Sequence, residues 1–169
     1  SVEASLQQKI PDWAYRDVLF MLIYYSIESY ELLERKLSAE EKEDVFDVFY
    51  RMAVRMDLKG LPQSFNEWQV MRNEHLENNL YKGEFTIDLF KQYKKHLGYF
   101  RYMLLLQGQI LVVPPSVNQL LKLGKFSWLS LIMRPYKFSR KLKLDWALKS
   151  LILPQKYIDQ LKDLDVVPE

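Results

Sequence analysis

The sequence predicts an all-α fold: a single helical domain spanning 1–169, with about seven helices packed around a central apolar helix. Three observations carry this. Apolar residues recur at helical spacing along most of the chain. Two capping signatures, "SAEE" and "SFNE", stand immediately before such runs. Glycine is scarce, with 5 copies, and no alternating stretch is long enough to read as a strand.

The first helix starts at Asp12, which can cap it, and runs to about Lys36. Its centre, "VLFMLIYYSI" (Val18 to Ile27), is apolar nearly all round, which marks a helix surrounded by others. That run falls short of the roughly 20 residues a bilayer span needs. The first ten positions lack the continuous apolar core of a signal peptide. Ser38 with Glu41 opens a second helix, carrying Val45, Phe46, Phe49, Met52, Ala53 and Met56 on one stripe. Gly60 and Pro62 end it. Ser64 with Glu67 opens a third, to about Leu80, and Gly83 breaks the chain. A fourth helix puts Leu89, Tyr93, His96, Phe100 and Met103 on one stripe. Pro115 starts a short helix that Gly124 closes. "SWLSLIM" is a further helix, broken near Arg134 and Pro135. "KLDWALKSLIL" and "PQKYIDQLKDL" supply the last two segments, separated at Pro154.

Hydrophobic residues at 49% and charged residues at 27% give a globular balance. A net charge of +2 does not point to nucleic acid, and no nucleic-acid motif supports such a partner. The absence of cysteine excludes disulfides and thiolate metal sites, and it fits a reducing, intracellular setting, cytoplasmic or at a membrane periphery. No glycine-rich phosphate loop and no nucleophile elbow occur.

Few side chains remain that could carry chemistry. His96 lies on an apolar stripe and reads either as a ligand or proton carrier in a pocket, or as a core histidine. The core reading is favoured because no second ligand sits one turn away. His75 shares a helix face with Trp68, Met71 and Asn79, without the spacing of a zinc protease or a di-iron carboxylate site. No metal site is therefore expected from this chain alone. Glu28 follows the apolar run; if buried it could act as an acid or base, and otherwise it marks the emergence of the helix into solvent. Residues 122–149 hold eight basic residues against one acid, Asp145, with Trp128, Tyr136, Phe138 and Trp146 interleaved. That pattern suits either a solvated basic face or peripheral contact with an anionic membrane.

"RDVLFMLIYYSIESYELLERKLSAEE", "LPQSFNEW", "HLENNL", "TIDLFKQYKKHLGYFRYMLL" and "VVPPSVNQLL" follow one another along nearly the whole chain. As an ordered set they resemble the latex-clearing proteins (rubber oxygenases) and the endoplasmic-reticulum-bound oxygenase of mycophenolic acid synthesis. The resemblance implies an all-α, haem b-dependent oxygenase cleaving carbon–carbon double bonds in a lipophilic, isoprenoid-like substrate. It also implies that the chain corresponds to the later part of the catalytic domain, because the family's haem-ligating histidine lies upstream of the matching segment. Haem is then not expected to bind this chain alone. Phe20, Tyr24 and Ile27, by type and place, are candidate pocket-wall residues. Glu28, His75 and His96 are the candidate catalytic side chains. The alternative is a non-catalytic helical module that binds a lipophile, a membrane surface or a protein partner.

Overall fold

The computed structural model describes residues 11–141. Six α-helices account for most of them: α1 (Asp12–Leu33), α2 (Ala39–Arg55), α3 (Phe65–Asn78), α4 (Glu84–Val112), α5 (Pro115–Leu121) and α6 (Leu129–Lys141). No strand occurs among the described residues, so the all-α class holds. The last two helical segments expected from the sequence lie outside the described residues.

α1 packs against α2, α4 and α6. Its stripe Leu19, Phe20, Ile23 and Ile27 meets Phe46 and Ala53 of α2 and Trp68 of α3 in the core. The opposite stripe is open, with Val18 and Met21 each 50% exposed. Among the described residues α1 is thus covered on one side rather than all round. α1 and α3 meet largely through long side chains, including an edge-on pair of Phe20 and Trp68 with centroids 6.4 Å apart.

Capping explains where α2 and α3 begin. Ser38 Oγ accepts from Glu41 N–H at 3.2 Å, and the Glu41 carboxylate accepts from Ser38 N–H at 2.8 Å. That capping box is complete. At α3 the reciprocity shifts by one residue. Ser64 Oγ accepts from Glu67 N–H at 3.2 Å, but Glu67 Oε2 accepts from Gln63 N–H at 2.7 Å. Glu43 of α2 supplies a further acceptor, to Phe65 N–H at 3.0 Å, so α2 helps to cap α3.

Several boundaries differ from the sequence reading. Pro11, not Asp12, occupies the N-cap of α1, and Asp12 in the first turn complements the helix dipole instead. α1 ends at Leu33 rather than near Lys36, where the buried carboxylate of Glu31 accepts from Leu37 N–H at 3.1 Å and turns the chain. The short helix α5 stops at Lys122, whose φ of 56° is left-handed, and Gly124 follows beyond it. α6 runs through Pro135 without a break. The proline costs the carbonyl four residues back its partner, but that residue, Leu131, is 69% exposed and has water available.

The largest departure is in α4. Gly98 interrupts it with φ 72° and ψ 170°, a conformation open essentially to glycine alone. The helix becomes an elbow with a half on each side of Gly98. The stripe from Leu89 through His96 to Phe100 is therefore not continuous, and Leu89, His96 and Phe100 are all exposed.

Candidate functional site

Among the described residues, polar and aromatic side chains gather at several places. The first lies between α1 and α3. His75 Nε2 sits 2.7 Å from Asp17 Oδ1, and His75 Nδ1 sits 3.1 Å from Asn79 Nδ2. With the Asn79 amide donating to Nδ1, the Nε2–H tautomer donates to Asp17, and both ring nitrogens are engaged. A cavity of about 60 Å³ adjoins them, lined by Trp13, Arg16, Phe20 and Met71. Among the described residues no hydroxyl or thiol lines it. The aspartate–histidine pair clamps two helices.

Beside the clamp, the Arg72 guanidinium lies 3.6 Å from the centroid of the Tyr24 ring and 5.8 Å from that of Trp68. Burial, aided by the charge of Glu28 and opposed by Arg72, pushes the Tyr24 hydroxyl up to about 12. It therefore stays protonated at neutral pH and is no general base. Burial also raises Tyr25 and lowers Arg72. Trp68 Nε1 is buried without a hydrogen-bond partner among the described residues.

The second place centres on Glu31, whose side chain is 3% exposed. Lys36 Nζ and Lys42 Nζ, the latter at 2.9 Å, pair with its two oxygens. Lys137 of α6 donates to the Glu31 backbone carbonyl at 3.2 Å. Burial would raise the Glu31 carboxyl, but hydrogen bonds from Lys36, Lys42 and Leu37 N–H outweigh it and hold the group at about 2. Glu31 thus stays ionised at neutral pH and ties α1 to the start of α2. Glu28, the carboxylate singled out from the sequence, is half-buried and lines a neighbouring cavity of about 340 Å³ with Leu111, Met133 and Lys137.

The third place is the inside of the α4 elbow, a groove of about 400 Å³. Ile87 and Phe90 from the first half, Tyr102 and Leu106 from the second, and Leu121 from the end of α5 form its floor. Lys82, Lys91, Lys94 and Lys122 rim it, with Thr86, and among the described residues no carboxylate lines it. Its size falls within the range of ordinary ligand clefts. Ser127 Oγ donates to the Gln107 carbonyl at 2.9 Å, and Gln107 Oε1 accepts from Trp128 N–H at 3.1 Å. These bonds tie the second half of α4 to the approach of α6.

The structure brings the sequence-predicted residues together only in part. Phe20, Tyr24 and Ile27 share α1, but Phe20 and Ile27 are packed in the core and Tyr24 lies under Arg72. Of the three, Phe20 alone borders the small cavity beside His75, and none lines the elbow groove. His75 and Glu28 border different cavities, and His96 is exposed and lines neither. In the basic segment, Phe126 is 66% exposed while Lys137 turns inward to Glu31. Lys143, Asp145, Trp146 and Lys149 lie outside the described residues. Lys82, Lys91 and Lys94 were not legible as a site. The available signal was a glycine in mid-helix with Ile87, Phe90, Lys91 and Lys94 sharing a face just before it.

A haem requires an axial ligand facing a closed apolar pocket. His75 has both nitrogens engaged beside a cavity far too small for the macrocycle, and His96 is exposed. Among the described residues, no group of three or more His, Asp or Glu side chains could hold a metal ion. The described residues do not fit haem. No described helix is long and apolar enough to cross a membrane. No protein-family model matches the chain, and neither a curated protein nor a solved structure matches it.

Proposed function

We propose that this chain is the substrate-holding helical part of an oxygenase-like protein acting on a lipophilic, unsaturated molecule of isoprenoid type. The elbow groove carries the reading. Its floor combines aliphatic and aromatic side chains from two helix halves, the lining expected of a cleft for an apolar chain. The described residues bind and orient the chain and exclude water from it. Haem, which would supply the oxygen chemistry, is not held by them in this reading. Titration with farnesol and with dodecanol tests it, followed by calorimetry. Saturable binding of farnesol, severalfold tighter than the saturated alcohol, is expected. Equal and non-saturable partition of both would remove the proposal. A parallel titration with haemin should give no saturable Soret band. A sharp band lost on His75→Ala or His96→Ala would contradict the assignment of iron ligation elsewhere.

A second reading rests on a different observation. Phe126, which follows Lys125 in the chain, and Leu131 are both exposed, which supports a non-catalytic module touching an anionic membrane surface. Flotation with phosphatidylserine vesicles separates the two readings. Salt-sensitive binding lost in Phe126→Ser would favour the membrane.

A further inference from the structure

We propose that the elbow groove selects an anionic amphiphile: one apolar chain ending in a carboxylate or phosphate ester. This rests on reading the groove as a lipophile site and adds the charge of the ligand's head. Three observations converge on it.

The first is charge. Four ammonium groups, Lys82, Lys91, Lys94 and Lys122, rim an apolar floor with no carboxylate among the described lining residues. A neutral chain needs no such rim. Grouping like charges around one cleft is unfavourable unless an anion offsets it.

The second is the start of α4. Gly83 occupies its N-cap and supplies no side-chain acceptor, so the first N–H groups of the helix lack a side-chain cap. Thr86 of this first turn lines the groove, and Lys82 immediately precedes the cap. The positive end of the helix dipole thus lies beside the lysine rim.

The third is strain. Lys122 holds a left-handed backbone at φ 56°, at a position where glycine or asparagine is ordinarily found. A lysine there costs backbone energy that a glycine would not. Its place on the rim gives that cost a purpose.

The geometry favours a free amphiphile over a bilayer. The groove is a concave, half-open cleft lined by two helix halves and the end of α5, whereas a membrane surface meets a flat or convex face. The apolar chain lies against Phe90, Tyr102 and Leu106, and the head sits between the lysines.

The test is calorimetric titration of the full chain with farnesyl monophosphate, farnesol and inorganic phosphate. The phosphate ester should bind about tenfold tighter than farnesol, the scale of a charge-assisted hydrogen bond or two. That preference should shrink as salt is raised, and inorganic phosphate alone should not saturate. The double variant Lys91→Gln, Lys94→Gln should bring the two affinities together. Lys122→Gly should weaken the phosphate ester severalfold while thermal stability stays level or rises, a combination that a purely structural lysine would not produce. Equal affinity for farnesol and its phosphate would overturn the head-group claim and leave the lipophile reading standing. Absence of binding by both would remove both. Binding to anionic vesicles that farnesyl monophosphate does not displace would assign the rim to a membrane and overturn the proposal.

Discussion

The helices α1–α3 and the elbow of α4 with α5 are built on opposite principles. In the first region, residues from three helices close on one another: Leu19, Phe20, Ile23 and Ile27 against Phe46, Ala53 and Trp68. Capping is strong there, and buried Glu31 takes two lysines and a backbone N–H. In the second region, a helix of 29 residues and one of 7 contribute no fully buried residue between them. Phe85 and Phe100 stand 92% and 61% exposed. The elbow also rests on one glycine held at positive φ. Stability resides in the first region, and the capacity to bind resides in the second. Local stability follows buried apolar contact, so the two should separate in experiment.

The sharpest way to break the contrast is to hollow the core. Phe46→Ala should cost about 3 to 5 kcal/mol in urea denaturation, because Phe46 is wholly enclosed and its neighbours can collapse only partly. The same truncation at Phe100, in the elbow, should leave the midpoint almost unchanged. A similar loss at both sites would erase the distinction.

Gly98→Ala acts on the elbow alone. No described residue lies within 4 Å of the added methyl, so the cost is conformational, about 1 to 3 kcal/mol of local strain. The helix should straighten to relieve it, raising helicity in circular dichroism and dismantling the groove, with farnesol binding lost. Retained binding would show that the groove does not depend on the bend.

Glu31→Gln should cost about 1 to 2 kcal/mol, since Lys36 and Lys42 reach solvent but the hydrogen bonds to the carboxylate weaken. Its pH signature is specific. The folded carboxyl is depressed from 4.5 to about 2, so its contribution is complete above the ordinary value and is lost as pH falls through that interval. The wild type should lose stability on acidification between about 4.5 and about 2, and the Gln variant should lose less there. Exposed Glu41, held low by Arg35 and by Ser38 N–H, adds to the same interval in both proteins. The smallest effect is Ser38→Ala, about 1 kcal/mol by denaturation, through loss of the cap on α2.

How much was legible in the sequence follows the range of the interactions. The α2 capping box, the start of α5 at Pro115 and the break at Gly83 are local, and each is where the residues place it. The pairs Asp17–His75 and Lys137–Glu31 join distant positions, and no spacing rule reveals them. Gly98 was hidden for another reason. Helix-forming residues and helical spacing continue on both sides of it, and a single glycine at positive φ leaves that pattern intact. Glu31 was passed over in favour of Glu28 because both follow the same apolar run, and only the return of Lys36 and Lys42 decides which carboxylate is buried. The candidate site was the least legible part. Its floor is assembled across a bend, and a lysine rim reads in sequence as an ordinary solvated face.

Hydrogen–deuterium exchange of the whole chain, with and without farnesyl monophosphate, tests the central contrast most directly. Slow exchange through the buried parts of α1–α3 in both states is expected, with new protection on binding confined to residues 82–106 and 121–123. Protection appearing instead across α1 and α3, or an elbow already as protected as the core before ligand is added, would contradict the division of the molecule into a stable core and an open binding elbow.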